Sequence, residues 1–83
     1  MNHAELTSKI SELTDIIESR KYKLKLAKQG ITFILQTAKE SNSDSSKIRL
    51  ADAYIDISRQ EYELYNLTDK LKSFKKAFTK LAA

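Results

Sequence analysis

Cysteine, proline and tryptophan are absent from this chain, and glycine and histidine occur once each, at Gly30 and His3. Each absence removes a class of chemistry. Without cysteine there is no disulfide framework and no thiolate nucleophile. A single histidine near one end, where a solvated side chain is expected, supports neither a Ser-His pair held in a cleft nor a zinc centre. One glycine cannot form a phosphate-cradling loop. A chain this poor in chain-breaking residues is not all-β, because sheets depend on turn residues. The longest apolar runs, such as residues 31–35 with Thr32 inside, are too short to span a bilayer. The opening MNHAELTSK lacks the basic-then-apolar pattern of a secretory signal. Carboxylate pairs do occur, but Glu61 and Glu63 project to different sides of a helix, and no cleft is expected beside Asp52 and Asp56. The expectation is a non-enzyme with no catalytic residue, no metal and no cofactor. The setting expected is cytoplasmic, in a bacterium or, for a phage-encoded chain, in its host.

What the chain does contain is charge and period. The stretch SRKYKLKLAKQG, residues 19–30, alternates lysine with large side chains and in isolation reads as a strand or a basic ribbon. Its context shows a different period. Leu6, Ile10, Leu13, Ile17, Arg20, Leu24, Ala27, Ile31, Ile34 and Ala38 follow alternating steps of four and three, and all but Arg20 are apolar. This is the seam of a coiled-coil helix, and Lys21, Lys23, Lys25 and Lys28 then flank the seam or face water. A second seam follows in Leu50, Ala53, Ile57, Gln60, Leu64, Leu67, Leu71, Phe74, Phe78 and Leu81, again with one polar member, Gln60. The Ser-, Asn- and Asp-rich residues 41–46 between them favour caps and turns over helix interior. The spacing therefore predicts an all-α antiparallel hairpin in one domain. Its parts are a first helix over 3–40, a loop at 41–46 and a second helix over 44–81. Asn2 with Glu5 resembles a capping box for the first helix, and Asp44 or Ser45 suits the N-cap of the second.

An antiparallel pairing interlocks the seams. Leu6 meets Phe78, Ile10 meets Phe74, Leu13 meets Leu71, Ile17 meets Leu67, Ala27 meets Ile57 and Ile31 meets Ala53. The midpoint of these pairs falls inside the Ser-rich loop, so the seam spacing and the loop position agree independently. Charge blocks along the chain run acidic, basic, acidic, basic, so folding back sets each against its opposite. In this frame Lys21 reaches Glu61 and Lys23 reaches Glu63, each exposed pair worth ~0.5 kcal/mol. Arg20 falls beside Leu64 and Gln60 beside Leu24, and polar residues at such positions set register while their tips reach the rim. Gly30 could end the first helix in a Schellman turn. The seam continuing through Ile31, Ile34 and Ala38 predicts instead that the helix runs through it.

The second helix carries a further apolar stripe on its back: Ile48, Ala51, Ile55, Ser58, Tyr62 and Tyr65, with Tyr54 beside it. The first helix adds Leu26 and Phe33, with Ile16 and Leu35 nearby. A solvated helix is not expected to be apolar on two faces. The candidate interface is therefore Ile48, Ala51, Tyr54, Ile55, Arg59, Tyr62, Tyr65, Leu26 and Phe33, rich in the Tyr and Arg typical of binding hot spots. Two occupants are expected for it: a second copy, giving a homodimeric four-helix bundle, or a larger protein partner. The function expected is protein binding, as a small adaptor, assembly chaperone or inhibitor.

The alternative is nucleic-acid binding through Lys70, Lys72, Lys75, Lys76 and Lys80. Three features disfavour it. Phe74 and Phe78 belong to the seam, the lysines spread around the helix, and the acidic block Glu5, Glu12, Asp15 and Glu18 lies alongside. The same acids disfavour a membrane-surface helix.

Overall fold

The computed structural model of the chain describes residues 2–82. Over them it forms α1 (His3–Ser41) and α2 (Asp44–Ala82), each of 39 residues. The helices lie side by side and antiparallel: His3 packs on Phe78, Arg20 pairs with Glu63 and Lys28 pairs with Glu61. This is the all-α hairpin the spacing predicts, with each helix one residue longer. The rod measures 60 × 15 × 14 Å, as expected for helices rising 1.5 Å per residue. No helix among the described residues is long and apolar enough to cross a membrane.

The caps follow local chemistry. Asn2 Oδ1 accepts from the Glu5 N–H at 2.8 Å, satisfying one of the free amides at the start of α1. Asn42 closes the same helix in the left-handed conformation (φ 46°, ψ 32°), its N–H donating to Ala38 O at 3.0 Å. Asparagine tolerates that conformation better than most non-glycine residues. The cap of α2 differs from the expected Asp44 or Ser45. Ser43 takes it, its Oγ accepting from the Ser46 N–H at 3.1 Å. Ser43, Asp44 and Ser45 are all competent caps by type, and the one that follows the turn at Asn42 wins. Asp44 instead sits in the first turn, where its charge suits the positive end of the helix dipole. The loop therefore shrinks from the expected 41–46 to Asn42 and Ser43.

Gly30 is helical and exposed, with no positive φ, so α1 is continuous as the seam predicts. The core lies along that seam. Leu6, Leu13, Ile17, Leu24 and Ala38 are the buried apolar residues, all from α1. The α2 seam from Leu50 to Phe78 is only half-buried, and Leu81 at the free end is exposed. One neighbouring helix buries half of the first seam, leaving Ile10, Ala27, Ile31 and Ile34 half-buried, and does not fully enclose the larger Leu and Phe side chains of the second. His3, expected to be a solvated terminal residue, is exposed but sets its ring 4.5 Å from that of Phe78 between centroids.

The cross-helix ion pairs differ from those expected. Glu61 takes Lys28 at 3.4 Å in place of Lys21, and Glu63 takes Arg20 at 3.0 Å in place of Lys23. Lys21 and Lys28 occupy the same flank one heptad apart, so Glu61 has two lysines to choose between, and the pairing is made on the loop side. Arg20, being a seam residue, starts closer to α2 than Lys23 and reaches Glu63 first.

A Cβ built at Gly30 meets nothing within 4 Å. Gly30→Ala is therefore expected to stabilise the chain by about 0.5–1 kcal/mol, raising the thermal midpoint by several degrees. Circular-dichroism melts check this. A lower midpoint would show that the chain departs from helix at Gly30 or packs something closely against it.

Candidate interaction surface

The two polar seam residues are the ends of one polar chain. Arg20 Nη1 donates to Glu63 Oε2 at 3.0 Å, and Arg59 lies 4.0 Å from the other oxygen of Glu63. Arg59 Nη2 donates to Asp56 Oδ1 at 2.6 Å, and Gln60 Nε2 donates to Asp56 Oδ2 at 2.8 Å. Gln60 thus turns back onto its own helix, and Arg20 reaches across to the other. Two guanidinium groups balance two carboxylates, so the interruption of the seam carries no net charge. The link sits along one flank, where Arg20, Arg59, Gln60, Glu63, Asn66 and Leu67 line a shallow depression. From the sequence Asp56 and Glu63 entered only as members of carboxylate pairs, with Glu63 expected to take Lys23, and neither was linked to Arg59. Their signal was present, since each lies one helical turn from Arg59.

The hydrogen bonds from Arg59, and then from Gln60, hold the Asp56 carboxyl below the ordinary aspartate range. Hydrogen bonding by Asp56 likewise raises the Arg59 guanidinium further above its already high range. Five of the threonine hydroxyls are satisfied locally. Thr7, Thr14, Thr37, Thr68 and Thr79 each donate to the carbonyl four residues back. The faces they occupy are therefore polar without reaching out to a neighbour.

The expected interface residues are exposed. Ile48 is 62% exposed, Ile55 66%, Tyr62 68% and Phe33 68%. Tyr65 is exposed to the same degree, Tyr54 and Leu26 to about half, and Ala51 and Arg59 are exposed as well. Ile16 and Tyr22 add to the exposed apolar area of α1. These residues do not form one patch. Lys28 with Glu61 marks one flank of the rod, and Arg20 with Glu63 marks the other. At 3.6 residues per turn, Ala51, Tyr54 and Tyr65 fall toward the Lys28–Glu61 flank of α2, with Ile48, Ile55 and Tyr62 on its outer back. Leu26 and Phe33 fall behind the Arg20 flank of α1, diagonally across the rod.

The five lysines at the free end are all exposed. Lys70 and Lys80 rim an apolar groove of about 580 Å³ floored by Leu6, Phe74, Ala77 and Leu81. Lys72, Lys75, Lys76 and Lys80 line a second surface on the outer side of α2, with Asp69 among them. Four of the five lysines therefore share one broad surface that an acid interrupts, and Lys70 lies apart from it. Among the described residues no group of three or more His, Cys, Asp or Glu side chains comes together.

Comparison with family models, with curated proteins and with solved structures finds no match to this chain.

The Asp56 geometry carries a pH signature. A carboxyl whose folded pKa lies below its unfolded value contributes stability above the unfolded pKa, lost as pH falls through the folded one. The difference in thermal midpoint between the parent and Asp56→Asn is expected to be full at neutral pH. It should close as pH falls below about 4, where unperturbed aspartates protonate. Identical midpoints at neutral pH would show that the polar chain contributes nothing to the fold.

Proposed function

We propose that this chain is a non-enzymatic protein-protein interaction module, a small adaptor, assembly chaperone or inhibitor, acting through the outer stripe of α2. One observation supports the reading above the others. Ile48, Ile55, Tyr62 and Tyr65 are large apolar side chains, each more than 60% exposed, spaced with Ala51 and Ser58 between them along a helix whose other face already holds the hairpin together. Apolar surface of this kind marks a site that another molecule covers. A fold held by no disulfide fits a reducing, cytoplasmic setting.

Nucleic acid is the second reading, resting on the lysines near the free end of α2. Asp69 within that surface, and the acidic block of α1 at the same end, make it a weaker case than the stripe makes for protein binding.

Light scattering over a range of concentrations separates these readings. The parent is expected at twice the 9.5 kDa of one chain or more, and Ile55→Asp at one chain with its helicity unchanged. A parent that stays a single chain would assign the stripe to a different protein, with Ile55→Asp as the control bait. Retention on heparin at low salt, lost on neutralising Lys75 and Lys76, would favour nucleic acid.

A further inference from the structure

We infer that the stripe on α2 pairs with the same stripe of a second copy, antiparallel, so that the dimer is a row with both α2 helices inside and both α1 helices outside. The inference rests on the reading of this stripe as the binding face and adds its occupant and register. Ile48, Ala51, Ile55, Ser58, Tyr62 and Tyr65 step by three and four, so they form a second seam like the one inside the hairpin. Its centre lies between Ile55 and Ser58. Turned about that centre, Ile48 meets Tyr65 of the second copy, Ala51 meets Tyr62 and Ile55 meets Ser58. The two smallest members each face a large one, as dense packing requires. A parallel pairing in register would instead set Tyr62 on Tyr62 and Ala51 on Ala51, bulk against bulk and gap against gap.

Charge supports the antiparallel choice. The flanks of this second seam carry Lys47, Asp52, Arg59 and Glu61. The same rotation brings Asp52 to within two residues of the level of Arg59 of the second copy on the same flank, and the two-fold axis repeats the pair. A closed four-helix bundle requires both helices to present apolar faces on one side of the hairpin. The diagonal placement of Leu26 and Phe33 opposes that arrangement, and the row leaves them outside.

Introduced thiols report the register, because the native chain contains no cysteine. Ala51→Cys and Tyr62→Cys alter exposed positions, and helicity by circular dichroism confirms that each variant folds. In the antiparallel row, position 51 of one copy lies beside position 62 of the other. The two copies of position 51 are then about 16 Å apart along the axis at 1.5 Å per residue. A short bismaleimide should link the mixed variants at least tenfold faster than either variant alone. Rapid linking of each variant with itself would overturn the antiparallel register in favour of a parallel one. A parent that remains one chain by light scattering would overturn self-pairing while leaving the stripe as a binding face for another protein. A dimer that survives Ile55→Asp would remove the stripe from both readings.

Discussion

Two helices packed side by side can bury only one stripe of each, and that constraint shapes this molecule. α2 covers the seam of α1 best at Leu6, Leu13, Ile17 and Leu24, which are buried, while Ile10, Ala27, Ile31 and Ile34 stay half-buried. The opposing seam is larger and only half covered. Beyond the seams, one neighbour per helix leaves most of each cylinder facing water. For α1 that surface is mainly charged or polar, with Ile16, Tyr22, Leu26 and Phe33 set singly among the polar groups. For α2 the outer surface nearer the loop is not, and the stripe from Ile48 to Tyr65 is where the shortage of cover is most evident.

The polar groups organise around the same constraint. Arg20 and Gln60 interrupt the two seams in adjacent layers, where an apolar pair would have packed more simply. Their cost is limited because neither is sealed from water, and because Glu63, Arg59 and Asp56 join them into a neutral chain. Arg20 contributes a cross-helix link at a defined height, which ties register to an ionic contact. At the loop, Asn42 and the Ser43 cap make the reversal in two residues, which keeps the two seams in phase.

Much of this was legible in the sequence. Steps of three and four are long-range signals, repeated over five heptads, and they gave both helices, their antiparallel order and the continuity through Gly30. Finer choices were less legible wherever several residues were equally competent. Ser43, Asp44 and Ser45 can all cap a helix, and only the backbone turn at Asn42 selects among them. Lys21 and Lys28 share a flank, so the pattern placed Glu61 beside lysines without deciding which. The Arg20–Glu63 contact was missed because Arg20 was weighed as a seam residue against Leu64, and its long side chain reaches past that layer. The grouping of Leu26 and Phe33 with the α2 stripe reflected nearness to the loop, and the helical angles divide them between opposite flanks. The stripe itself was legible, because its spacing repeats that of the seam.

The central claim is that the hairpin alone leaves α2 short of cover and that association supplies it. The most direct test is the thermal unfolding midpoint followed over a hundredfold range of chain concentration. Association that stabilises the folded chain makes the midpoint rise with concentration, and that rise is the result expected. A midpoint that stays constant over the range would contradict the claim, showing that the hairpin is complete as a single chain.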